Sequence, residues 1–200
     1  MNPPAAARAW LGACAAAAVL ALLAWAAPRP LLDWQPALAF SEPWRLITAA
    51  AVHWSPMHLG ANLLGVAVVA WFGAAGHLPS AATAAWLVAW PLTHLGLLVE
   101  PELAHYGGLS GVLHAAVATG GCWLALSARG RAGVVGAAVV AGLGAKVLLE
   151  VPWGTPLRIV PGWDIPLAPL AHATGTVAGL ACATAAWAAT GMPRQAGAAT

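Results

Sequence analysis

The sequence predicts an all-α polytopic membrane protein: one bundle of six transmembrane helices, both termini cytoplasmic, with no soluble domain. Three observations predict it. Of the 200 residues 61% are hydrophobic and only 7% charged, where a soluble domain carries roughly 25% charged residues. The mean hydropathy is +0.79. The apolar residues also gather into six stretches, each close to the ~20 residues that span a hydrocarbon core about 30 Å thick.

The first stretch, 10–27, follows a head whose one charge is Arg8. "AWA" at 24–26 looks like a signal-peptide cleavage site, but the apolar run exceeds the usual signal core of about 7–15 residues and reads as an uncleaved helix. Residues 28–56 form an irregular segment rich in Pro and Trp, suited to the membrane interface. Helices are then expected over 57–75, 80–99, 109–128, 132–149 and 169–190. The short breaks at 76–79 and 129–131 make neighbours antiparallel. Residues 151–168, with four prolines and two tryptophans, form a second long loop.

Lys and Arg concentrate on the cytoplasmic side of membrane proteins. With the N-terminus inside, Arg8, Arg129, Arg131 and Arg194 fall there, while all six acidic residues fall on or near the outer side with Arg29, Arg45 and Arg158. A dispersed formal charge of +2 offers no basic stripe for nucleic acid. Cys14, Cys122 and Cys182 lie in apolar stretches without CxxC spacing and indicate neither a disulfide framework nor a thiolate metal site.

Strong polar groups mark the outer ends of three expected helices. "HWSPMHLGANLLG" places His58 and Asn62 four residues apart on one helix face. "HYGGLSGVLH" opens the fourth helix with Ser110 between glycines, Gly108 and Gly111 among them, and puts His114 one turn further on. "LAHATGTVAG" brings His172 near the start of the last helix. These three helices all run inward from the outer face, so Asn62, Ser110 and His172 are expected at one depth. Polar groups in hydrocarbon are costly unless satisfied, which favours convergence.

A serine attacks a carbonyl only when a base removes its proton, and His172 or His114 could do so. A base on another helix can approach from the side opposite the attacked carbonyl, which favours His172. His58, Asn62 and the unpaired N–H groups of the helix opening at Ser110 supply donors for a developing oxyanion. Gly175 and Gly179 are expected to let the last helix pack closely on Gly107 and Gly111. Asp33 and Asp164 fall in loops, so no buried acid is expected beside the pair, and a Ser-His dyad follows.

These motifs resemble the rhomboid family of intramembrane serine proteases. "EPWRLITAAAVHWSPMHLGANLLG" is similar to the family's Trp-Arg loop and His-x-x-x-Asn helix, "GLSG" to its Gly-x-Ser-Gly, and "AHATGTVAG" to its His-x-x-Gly-x-x-x-Gly helix. The resemblance implies Ser110 as nucleophile, His172 as base, His58 and Asn62 as oxyanion donors, and no cofactor or metal. His114 stands where many rhomboids have a tyrosine stacked on the catalytic histidine. That substitution, the short chain, and Lys146 with Glu150 resemble the rhombosortase branch, although Ala115 stands where that branch has glycine. The branch implies substrates ending in Gly-Gly, a transmembrane helix and a basic tail. It also implies a bacterial cytoplasmic membrane, with the site opening outward.

Blander readings stand beside this one. Ser110 alone could be a helix cap, and His58 and Asn62 could only knit helices together. His53, His77, His94 and His105 read as solvated residues near loop ends. His114 could shape the site or merely pack, and Gly108 and Gly111 could shape it through the turn they allow. Lys146 and Glu150, at i, i+4, read as an interfacial ion pair or as substrate-binding groups. A catalytically inactive binder of transmembrane helices, and a haem- or metal-binding membrane protein, are the alternative classes.

Overall fold

A computed structural model describes residues 7–190. Arg194, expected on the cytoplasmic side, lies outside the described residues. The described chain is all helical, without named strands: α1 (Arg8–Ala24), α2 (Arg45–Thr48), α3 (Pro56–Ala75), α4 (Ser80–Leu95), α5 (Ser110–Ser127), α6 (Arg131–Leu149) and α7 (Pro169–Thr190). Four helical stretches are long and apolar enough to cross a membrane: Pro56–Ala75, Ser80–Val99 (α4 with its 3-10 extension), Ser110–Ser127 and Arg131–Leu149. α1 is apolar but shorter, and α7 is diluted by its Gly and Thr residues.

Two differences from the expected elements have simple causes. The first helix stops at Ala24, because Pro28 and Pro30 force the following chain out of helical geometry. The expected 80–99 helix tightens into a 3-10 turn over Gly96–Val99, where a Cβ on Gly96 would collide with the Thr174 side chain.

α5 is the most buried of the four spanning-length stretches and packs against α7, α6 and α4, while α1 closes over α3 and α4. Trp10 of α1 and Trp86 of α4 reach neighbouring helices with their N–H groups paired. Trp10 Nε1 donates to the Val69 carbonyl (2.9 Å) and Trp86 Nε1 to the Val112 carbonyl (3.0 Å). Gly73 gives Trp10 its seat, since a side chain there would enter the indole.

The close approach of α5 and α7 depends on small residues. A Cβ on Gly175 would collide with the Gly111 carbonyl, and one on Gly179 with the Ala115 carbonyl. The expected Gly-x-x-x-Gly packing thus forms on Gly111 and Ala115. Gly107 packs instead on Val52, 2.9 Å from where its Cβ would lie.

The long first loop is more ordered than a solvated interfacial segment. Arg45, only 2% exposed, binds the Asp33 carbonyl (2.6 Å), the Asp33 carboxylate (3.1 Å), the Pro30 carbonyl (2.9 Å) and Glu42 (2.7 Å). A buried guanidinium needs several acceptors, and this loop wraps around one to supply them. Trp34 and Tyr106 pair through their backbones (2.7 and 3.0 Å), tying the loop to the segment preceding Ser110. A small second core of Trp34, Leu97, Leu103, Tyr106 and Ala171 lies beneath.

Gly179→Val should push α7 off α5 and cost about 1–3 kcal/mol, whereas Gly142→Ala, which meets open space, should cost nothing. Thermal unfolding in detergent checks both.

Candidate functional site

Ser110 is the first residue of α5, so its backbone N–H and those of Gly111 and Val112 have no carbonyl on their own helix to bond. The turn into this position passes through Gly108 at φ +127°, a region closed to L side chains. His172 reaches Ser110 from the first turn of α7, its Nε2 3.1 Å from Ser110 Oγ. His172 Nδ1 lies 2.7 Å from Glu150 Oε2, and that second bond overturns the expectation that no acid accompanies the pair. Glu150 follows directly after α6, and the loop beyond turns its carboxylate under the end of α7.

Hydrogen-bond chemistry fixes the protons. Burial pushes the Glu150 carboxyl up, but the hydrogen bonds and charges of His172 and Lys146 outweigh it and hold it down at about 2. An ionised carboxylate only accepts, so His172 Nδ1 carries a proton, and in the neutral ring that tautomer leaves the Nε2 lone pair facing the serine hydroxyl. Lys146 Nζ donates to Glu150 Oε1 (2.6 Å) and to His114 Nε2 (2.9 Å). An ammonium only donates, so His114 Nε2 is unprotonated, and its Nδ1–H donates to the Ser110 carbonyl (2.7 Å). The His114 ring stacks on His172 with centroids 4.1 Å apart and planes 8° from parallel.

His58 and Asn62 stand across the site on the first two turns of α3, both almost fully buried. Ser55 caps that helix, accepting from the His58 N–H (3.0 Å) and donating to Asp164 (2.8 Å). The Trp54 N–H donates to His58 Nδ1 (3.4 Å), leaving the proton on Nε2. A Cβ on Gly108 would lie 2.6 Å from His58 Nε2 and 3.6 Å from Asn62 Nδ2, so both nitrogens border the turn into Ser110. Asn62 Nδ2 spends one hydrogen on the His58 carbonyl (3.2 Å) and keeps the other.

Ser110, His172, Glu150, Lys146, His114, His58 and Asn62 line one cavity of about 800 Å³. Its polar end holds Ser110, His172, His114, Lys146, Glu150 and Arg158; its apolar end runs along α3 and α5 past Gly65, Val68, Leu113 and Val117. Val160, Trp163 and Leu167 of the second long loop also line it, and Arg158 Nη1 fastens that loop to the Glu150 carbonyl (3.3 Å).

His114, Glu150 and His172 have ligand atoms within 4.8 Å of one another, the spacing of a metal cluster. The stacking argues against that use. A metal must lie near the plane of each imidazole it binds, and two nearly parallel rings 4.1 Å apart share no such plane. The Lys146 ammonium also bridges two of the three would-be ligands.

Two of the remaining histidines, His53 and His94, depart from the solvated reading. His53 is 2% exposed and His94 fully buried, because the first loop folds down on the helix ends: His94 Nδ1 bonds the Leu46 carbonyl (2.7 Å) and His53 Nδ1 the Ala51 carbonyl (3.0 Å). Burial pushes His53 down against the opposing effect of that bond, favouring its neutral form. His105 is half exposed and pairs with buried Asp33 (2.6 Å), and His77 is exposed. Sequence reasoning gave Tyr106 no role of its own. Its hydroxyl donates to the Gly108 carbonyl (3.1 Å) and braces the turn before the serine, while burial pushes its phenol up and keeps it neutral.

No protein-family model matches the chain, and no curated protein matches it.

Gly108→Ala should destabilise the fold by more than about 1 kcal/mol, from the positive φ and the clash with His58. Gly60→Ala, in open space on the same helix as His58, should not. Melting curves of the two variants check this.

Proposed function

We propose that the protein is a rhomboid-type intramembrane serine endopeptidase that cleaves transmembrane segments of membrane-anchored proteins. The observation that carries the reading is the 3.1 Å contact between Ser110 Oγ and His172 Nε2, with the Nδ1 proton held by Glu150 so that Nε2 is free to act as base. A hydroxyl and an unprotonated imidazole so arranged are what activation of a serine requires.

His172 takes the hydroxyl proton as Oγ attacks the scissile carbonyl. The oxyanion that forms faces His58 Nε2–H, the free Asn62 hydrogen and the Ser110 N–H, with the positive end of the α5 dipole behind them. His172 returns the proton to the leaving amine, and water then releases the acyl group from Ser110. An intact helix hides its carbonyls in its own hydrogen bonds, so substrates with small, helix-breaking residues suit the site. Gly-Gly followed by a transmembrane helix and a basic tail, the rhombosortase type of substrate, meets that requirement.

In the same reading α1, α3, α4, α5, α6 and α7 are the six spans, both termini lie in the cytoplasm, and the cavity opens to the outer face of a bacterial cytoplasmic membrane. Arg8, Arg129 and Arg131 then lie at the cytoplasmic ends.

Purified protein in lipid vesicles should cut a Gly-Gly-tailed transmembrane substrate, read by gel shift and mass spectrometry. Ser110→Ala and His172→Ala should abolish cleavage, and Asn62→Ala or His58→Ala should slow it by about 10²–10³-fold. Cleavage that survives Ser110→Ala overturns the proposal. A folded wild-type protein that binds the substrate helix without cutting it favours an inactive helix-binding role.

A further inference from the structure

We infer that Glu150 is a positioning residue for the His172 base, and that Lys146 joins it to His114 so that His172 is held at its Nδ1 edge and on one ring face. The inference rests on the proposed peptidase reading and deepens it, replacing a Ser-His dyad by a Ser-His-Glu relay with a bridging cation.

Three features of the geometry carry it. Glu150 Oε2 meets His172 Nδ1 at 2.7 Å on the side of the ring away from the serine, so one carboxylate both selects the tautomer and aims Nε2 at Ser110 Oγ. The other oxygen, Oε1, is taken by Lys146 at 2.6 Å, which leaves the carboxylate little freedom to rotate away. Lys146 also holds His114 Nε2 at 2.9 Å. With its Nδ1–H on the Ser110 carbonyl, His114 is locked at both nitrogens and presents a flat, neutral face to His172.

The local charge balance supports the same assignment. A lone carboxylate or ammonium in a bilayer is expensive. Lys146 and Glu150 neutralise each other one helical turn apart at the end of α6, and Arg158 binds the Glu150 carbonyl there. When the Ser110 proton moves to His172 Nε2, the resulting imidazolium keeps its Nδ1 proton against the Glu150 carboxylate, which stays ionised throughout. A pair serving only to tolerate two charges near the interface would need no contact with either imidazole, yet each charge touches one.

The test has two arms on the full-length protein in lipid. The first is proton NMR of the far-downfield exchangeable signal expected for His172 Nδ1–H against a carboxylate. It should be present in wild type and Ser110→Ala, and absent in Glu150→Gln and His172→Ala. The second is the rate at which a fluorophosphonate labels Ser110. Glu150→Gln should slow it by about 10²–10⁴-fold, Lys146→Met should slow it less, and the double variant should be slowed by less than the product of the two single effects, because Lys146 acts partly through Glu150. Melting curves show whether each variant folds.

If Glu150→Gln keeps the downfield signal, or labels at the wild-type rate while wild type reacts, the positioning role is wrong and the peptidase reading stands. If wild type never labels but its signal is present and lost in Glu150→Gln, the positioning geometry stands and the peptidase reading fails.

Discussion

Polar side chains placed among apolar helices must find partners, and the architecture of this protein follows from how it meets that constraint. Ser110, His172, Glu150, Lys146 and His114 form a continuous chain of donors and acceptors in which each nitrogen and oxygen serves a defined role. The two formal charges in the chain are opposite and adjacent. Removing a member would leave its neighbour unpaired, so each member holds the next in place.

The chain can close only because the backbones behind it come so near one another. Gly111 and Ala115 on α5 meet Gly175 and Gly179 on α7 with no room for a side chain on either of the α7 glycines, which brings His172 to the first residue of α5. Such small-residue contacts let the two backbones approach closely and gain dispersion along their length. On the opposite wall, the Ser55 cap and the buried Arg45 loop fix the start of α3, and so set His58 and Asn62 facing Gly108. Packing, capping and loop structure thus converge on the N-terminal ends of α3, α5 and α7.

Much of this is legible in the sequence. Apolar stretches separated by Pro, Gly and Arg mark the long helices to within a few residues, because span length and helix breakers are local properties. Ser110, His172, His58 and Asn62 can be picked out because a polar residue in an apolar helix stands out, and helix order alone puts them at one depth. Glu150 reads as one half of an i, i+4 pair with Lys146, since its reach to His172 depends on the turn after α6 and on the placement of α7, a tertiary relation absent from local spacing. His53 and His94 depart for a similar reason: residues in or beside loops look solvated until the loop around Arg45 is seen to fold onto the helix ends. Tyr106 gives one faint signal, as the only tyrosine in the chain, four residues before the serine.

In the proposed function His172 makes Ser110 a nucleophile. Intact-protein and peptide mass spectrometry after fluorophosphonate treatment in lipid tests this. A single adduct on the peptide containing Ser110 is expected, with none in His172→Ala and an unchanged adduct in Ser55→Ala. An adduct on another residue, or one on Ser110 that forms equally well without His172, would contradict it.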